Sequence, residues 1–390
     1  MAAKRPDVRV AQILCSGHYA GAERVACELT RALAPVVELS KLYLILEARS
    51  GEAACRSLTA RIDAFGLDYD VHPIHQPMSL ALMRTIVAAC RRDSIDIVHS
   101  HSYKAACFIS PILKAAGAVR RSVFTLHGMG RRSRLKTVHV KSLVGAGALL
   151  SDAVIGCARP ITTAYSRIPT LAGRMETIPN GIDVDAALLP PAGARSVLAQ
   201  RYDLDPDAIW IGAVGRLARE KDLPSLLRAI ADLRSRVAER RVQLLIVGEG
   251  PERDGLVRHV ADLGLRDTVI FAGHVDAIAD VYAALDILAL TSVSEGTPMA
   301  VLEAMAYGVP VVASAVGGVP DMVEDGTTGL LFPAGDVARC SDQLLALIAA
   351  PALRRRLSDC ARQRVLSRYG IAQWAERHVS LYRRLLAASG

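Results

Sequence analysis

TSVSEGTPMAVLEAMAYGVPVVAS, residues 291–314, leaves the apolar run ILAL, crosses a polar turn, continues for the length of a short helix and re-enters the apolar run PVVAS. This is the grammar of a parallel β-α-β unit. Thr297 is expected to act as an N-cap with Pro298 at the first helical position. The unbonded N–H groups of that helix start then face the carboxyl ends of the strands, where they suit a phosphate or another anion. Glu295 and Glu303 flank the start. At helical rise eight residues separate them by roughly 12 Å, too far for the paired carboxylates of a glycosidase. The span suits a nucleotide sugar laid along the helix, with Glu295 and Gly296 near the sugar, the helix start near the diphosphate and Glu303 accepting from ribose hydroxyls. Alone, either glutamate reads better as a surface group, Glu295 as a solvated loop carboxylate and Glu303 as a surface helix residue.

The same alternation extends in both directions. Strands are expected at VRVAQIL, KLYLILEA, DIVHSH, RSVFTLHG and DAVIGC in the first half, and at IWIGAVGRL, VQLLIVGEG, VIFAGHV, ILALTSV and PVVASAVGG in the second. The fold class is α/β, with two Rossmann-like doubly wound domains and a ligand cleft expected at their strand ends. Asn180-Gly181 and Pro190-Pro191 break the pattern between the halves. An N-terminal acceptor-binding domain is expected over residues 1–185, and a C-terminal donor-binding domain over 186–370. The helix expected over 371–390 is assigned to the first of these.

At 390 residues the chain is too long for one ordinary core. The net charge of +8 is lopsided, with a balance of +9 over residues 1–190 and −1 over 191–390. A basic surface can meet nucleic acid, anionic lipid or an acidic substrate, and no recognised nucleic-acid module favours the first. The stretch RRSRLKTVHVK, with Arg131, Arg132, Arg134, Lys136 and Lys141, is a candidate contact for an anionic membrane surface or simply a solvated helix face. No run approaches the roughly 18 apolar residues of a membrane span, and the eight cysteines are scattered without metal-ligand spacing. The expectation is a cytoplasmic protein, peripheral on the inner face of the cell membrane, with no metal and no cofactor. VGEGPERDG carries GxG without the third glycine of a dinucleotide fingerprint, and there is no Walker A sequence.

A Glu, seven residues and a Glu within SEGTPMAVLEAMAYGVPVVAS resemble the signature of the retaining glycosyltransferases of family 4, of GT-B fold. Further stretches fall in the family's order: GHYAGAERVACELTRAL, its first glycine loop and helix; TLHG; IPNGID; GAVGRLAREKDLPSLLRAI; VGEGPERDGL and FAGHV; and VGGVPDMVEDGTTGLLFPAGD. One such motif is weak, whereas seven in order are specific.

The resemblance implies transfer of a sugar, with retention and without metal, from a UDP-, GDP- or ADP-sugar to a glycan or lipid-linked acceptor of bacterial cell-surface or exopolysaccharide synthesis. It implies that Arg216 and Lys221 hold the donor diphosphate and that His127 meets the donor sugar near the reacting centre. Gly21 lies in the first loop, where Ala20 replaces the family's usual glycine. Glu23 and His101 are candidates for the acceptor side, with capping and core roles as their alternatives. Two other functions fit the same architecture: a nucleotide-sugar epimerase and a silent nucleotide-sugar-binding module.

Overall fold

The computed structural model describes residues 8–17, 19–47, 51–74, 79–127, 134–188, 191–237 and 241–388, with the backbone alone for 134–141, 186 and 188. The chain forms two compact units. One comprises Met1–Gly128, Arg132–Asn180 and Ile371–Gly390, and the other is built on Gly181–Gly370.

The first unit holds a seven-stranded parallel sheet of β1 (Arg9–Ser16), β2 (Leu39–Glu47), β3 (Tyr69–Ile74), β4 (Ile97–Ser100), β5 (Arg121–Leu126), β6 (Ala153–Gly156) and β7 (Met175–Thr177). Its spatial order is β3-β2-β1-β4-β5-β6-β7. The second holds β8 (Ile209–Val214), β9 (Val242–Val247), β10 (Val269–Gly273), β11 (Ile287–Leu290), β12 (Val311–Ser314) and β13 (Leu330–Phe332). Their order is β10-β9-β8-β11-β12-β13, again all parallel. Strand order reverses between β1 and β4 in one unit and between β8 and β11 in the other. These are the topological switch points where open parallel sheets bind ligands.

Both sheets are buried on both faces, which is why their central strands read as continuous apolar runs. Along β1 and β2, Ile13, Tyr43 and Ile45 pack into one core while Leu14, Leu42 and Leu44 pack into the opposite one. Trp210 enters one core of the second sheet, and its neighbours Ile209 and Ile211 enter the other.

The units meet at Asn180–Gly181 rather than at 185. Ile182 belongs to the second unit's core and its N–H donates to the Tyr369 carbonyl at 2.8 Å, which ties the linker to that unit before residue 185. The helix Ile371–Ala387 packs in the first unit and buries Trp374, His378 and Tyr382 there. Among the described residues no helix is long and apolar enough to cross a membrane. All eight cysteines are free thiols, and all but Cys15 and Cys360 are buried.

Candidate functional site

In the second unit the candidate site is assembled at the ends of β8 and β11. Gly215 leaves β8 with a φ of +144°, a conformation that favours glycine, and passes within reach of the Lys221 side chain. The loop is then seated on the one after β9. Cβ atoms on Gly248 and Gly250 would lie 2.0 Å from the Gly215 carbonyl oxygen and 2.2 Å from that of Leu217, so two backbones touch where no side chain fits. Leu217 N–H donates to Glu249 O at 2.9 Å across the same contact. The GxG of VGEG is a packing device of a strand-to-helix turn.

Lys221 closes a short 3₁₀ turn, Arg219–Lys221, just before the helix Leu223–Arg236. The turn is fixed to the segment after β11: Val293 N–H donates to Glu220 O at 2.8 Å and Thr291 Oγ1 to Lys221 O at 3.0 Å. Lys221 Nζ then lies 2.7 Å from Glu295 Oε1, which also accepts from Ser292 Oγ at 2.6 Å. Two residues 74 apart in sequence thus form one charged pair, with side chains 21% and 10% exposed. Their spacing along the chain carries no sign of it. Arg216, by contrast, is exposed and has no acidic partner among the described residues. A small cavity bounded by Gly215, Arg216, Lys221, Leu290 and Thr291 lies beside it.

The loop Glu295–Thr297 leads into the helix Met299–Ala306, whose N-cap is Pro298 (φ −69°, ψ 110°). Thr297 was expected to fill that place. The extended ψ at Pro298 delays the helix by one residue, and Thr297 is buried in the approach loop instead. The first-turn N–H groups of Met299 and Ala300 have no intrahelical acceptor. Gly296 and Glu295 are braced from behind: Gly318 N–H donates to Gly296 O at 3.0 Å, and a Cβ on Gly317 (φ +54°) would lie 1.8 Å from Glu295 O. This gives a physical role to the two glycines of VGGVP.

Glu303 is not the surface residue that it reads as alone. It is 4% exposed, and Tyr282 donates its hydroxyl proton to Glu303 Oε2 at 2.5 Å. Its carboxylate is not a solvated surface group.

In the first unit four imidazoles gather at the ends of β4 and β5. His99 and His101 stack at 4.5 Å between ring centroids, His101 and His127 at 5.2 Å, and His378 from the C-terminal helix lies 5.7 Å from His99. Burial pushes all four toward the neutral form, His127 and His378 to about 4 and His99 and His101 well below the ordinary value. His127 is half-buried. His101 is 4% exposed and spends both ring nitrogens internally, on His127 and on Gln12. His101 therefore sits within the core of the first unit, behind His127. Glu23 Oε2 accepts from Ala20 N–H at 3.0 Å and so caps the start of the helix Gly21–Leu33. Gly21 has ordinary φ and open space where a Cβ would stand. The basic stretch at 131–141 lies outside the described side chains.

The chain matches two family models in tandem, "Glycosyltransferase Family 4" over residues 19–186 and "Glycosyl transferases group 1" over 195–364. It is 26% identical over 309 residues to the N-acetyl-alpha-D-glucosaminyl L-malate synthase of Bacillus anthracis, covering 79% of this chain and 80% of that protein. It is 29% identical over 331 residues to the GDP-mannose-dependent alpha-(1-6)-phosphatidylinositol monomannoside mannosyltransferase of Mycolicibacterium smegmatis, covering 79% and 82%. Anabaena HepE, solved in complex with UDP and glucose, shares the fold with a TM-score of 0.83 at 20% identity, over 97% of this chain and all of that one. Two parallel sheets of GT-B type, two models that divide the chain between them and relatives matched along most of their length converge: the chain belongs to the family 4, group 1 glycosyltransferases.

Proposed function

We propose that this glycosyltransferase takes a sugar from a nucleoside diphosphate donor and passes it, with retention and without a metal ion, to a glycan or lipid-linked acceptor at an anionic membrane surface. The observation that carries the donor half is the uncompensated guanidinium of Arg216, set on a backbone-braced loop beside the Lys221–Glu295 pair at a strand-order switch point. A cation held without a countercharge at such a place suits a ligand that brings two phosphates.

In this reading Arg216, Lys221 and the N–H groups at the start of the helix Met299–Ala306 meet the charge that grows on the departing diphosphate. Glu295, with Gly296, Thr297 and Pro298, is assigned to the donor sugar, and so is His127 of the first unit. Gly21 leaves room for a close approach. The names of the relatives support a soluble or lipid-borne acceptor equally, L-malate for one and a phosphatidylinositol mannoside for the other; the basic excess of residues 1–190 favours the lipid.

The test is a thermal-shift and donor-hydrolysis screen of UDP-, GDP- and ADP-sugars with and without EDTA. Stabilisation and slow diphosphate release by one base, unchanged by EDTA, support the donor site and the metal-independent chemistry. Loss of both with EDTA overturns the latter, and no response to any donor overturns the site. Proton NMR of the product's anomeric centre decides retention.

A further inference from the structure

His127 does not stand alone. Its Nε2 is 3.0 Å from His101 Nδ1, and His101 Nε2 is 2.7 Å from Gln12 Oε1. Gln12 and His101 come from β1 and the end of β4, adjacent strands at the switch point of the sheet, with Gln12 in register with His99. Gln12 is fully buried and His101 nearly so, on the central strands of a packed sheet, so the geometry is held by the core.

The direction of this chain follows from its inner end. A glutamine carbonyl oxygen only accepts, so the proton between it and His101 belongs to His101 Nε2. A neutral imidazole carries one proton, which leaves His101 Nδ1 as an acceptor and makes His127 Nε2 the donor. His127 Nδ1 is then bare, and it has no partner among the described residues. Burial holds His101 and His127 neutral, His127 with its pKa pushed down to about 4, so the one-proton argument applies at physiological pH. A second set of bonds supports the stack from behind. His99, between Tyr382 and Thr125 at 2.7 Å each, stacks on the His101 ring and keeps that ring from tipping.

We propose that Gln12 and His101 are positioning residues that lock His127 in the tautomer with its proton on Nε2, so that Nδ1 presents a lone pair to a hydroxyl of the sugar substrate. The assignment rests on the reading of His127 given above and adds its chemical polarity. His127 accepts a hydrogen bond there; it does not donate one. A substrate position bearing a hydroxyl is favoured over one bearing only an acceptor, because an unprotonated nitrogen facing an acceptor is repelled and left unpaired.

The experiment uses the full chain labelled with ¹⁵N-histidine, with signals assigned through His127→Gln. Long-range proton–nitrogen spectra near pH 7.5 are expected to show His127 protonated at Nε2 and bare at Nδ1; the reverse, or a fast mixture of the two, overturns the lock. In kinetics, His101→Leu removes the acceptor, and His101→Asn replaces it with an amide oxygen near the place of Nδ1. The Leu variant is expected to lose about 10- to 100-fold in kcat, with donor KM within about twofold, and the Asn variant to recover most of the loss. Equal activity in both variants, or a loss confined to KM, sinks the proposal. Should His101→Leu fail to fold, the spectra of the unsubstituted protein decide alone. His127→Ala separates the two ideas: full activity there refutes the role of His127 in transfer, whereas an inactive His127→Ala beside a fully active His101→Leu refutes only the positioning.

Discussion

Arg216 and Lys221 carry the same formal charge and sit on one short loop, yet their surroundings predict different consequences of removal. Arg216 is exposed and uncommitted, so Arg216→Ala is expected to leave the melting temperature nearly unchanged while lowering kcat/KM about 100-fold, roughly 2.7 kcal/mol of transition-state stabilisation. Lys221 is the countercharge of a Glu295 carboxylate that is 10% exposed. Lys221→Ala therefore loses activity and also costs roughly 1–3 kcal/mol of stability by orphaning that carboxylate. The double variant Lys221→Met with Glu295→Gln should regain the stability without the activity, because both ends of the pair are then neutral. Paired calorimetry and steady-state kinetics read both effects. A double variant no more stable than Lys221→Ala would show that the ion pair is not the cause.

At the scale of elements the loops are shaped by glycines of two kinds. Gly250 has the Leu217 carbonyl where a Cβ would go, whereas Gly21 has open space there and ordinary φ. Gly250→Ala is expected to push the Arg216 loop off its support, lowering both stability and kcat/KM although Gly250 has no side chain of its own. Gly21→Ala should fold as well as the parent or gain about 0.4–1 kcal/mol; a loss of activity without a loss of melting temperature would locate a ligand against that backbone. Of the ten strands legible in the sequence, nine are interior to their sheets and the tenth, β10, is an edge strand. The three that the sequence did not yield, β3, β7 and β13, are all edge strands. Tyr69–Ile74 is only partly buried and contains Pro73, and the other two are three residues long. Paired on one side and half solvated, these three are too short or too polar to stand out, whereas the edge strand β10 keeps the run VIFAG. The candidate site divides in the same way. Strand-end loops with their Arg, Lys and Glu were legible because position along the chain decides where they emerge. The Lys221–Glu295 pair, the burial of Glu303 against Tyr282 and the linked histidines were not, because each is a contact between residues distant in sequence.

At the scale of the whole molecule, the buried histidines among the described residues belong to the first unit. His99, His101, His127 and His378 all have pKa values below the 6.5 of an exposed imidazole, chiefly through burial. As pH falls below about 6.5 the unfolded chain takes up protons that the folded unit refuses, so stability declines from there toward pH 4. For His378, with its pKa at about 4, the loss at pH 5 is roughly 2 kcal/mol. Asp93, held low first by Arg92 and further by Tyr43 and Lys41, adds a loss of the same sign once the pH drops below the ordinary carboxylate range. Hydrogen exchange at pH 5 against pH 7.5 is expected to show the first unit opening while the second stays protected; equal loss in both would contradict this. The position of Ile371–Ala387 in that first unit has a further consequence during synthesis. The ribosome makes the first sheet before the second unit and its closing helix after that unit, so the first unit is completed later than the second. Until Trp374, His378 and Tyr382 emerge, the histidine stack lacks its outer wall, and an unfinished chain holds a finished second unit beside a first that is still open.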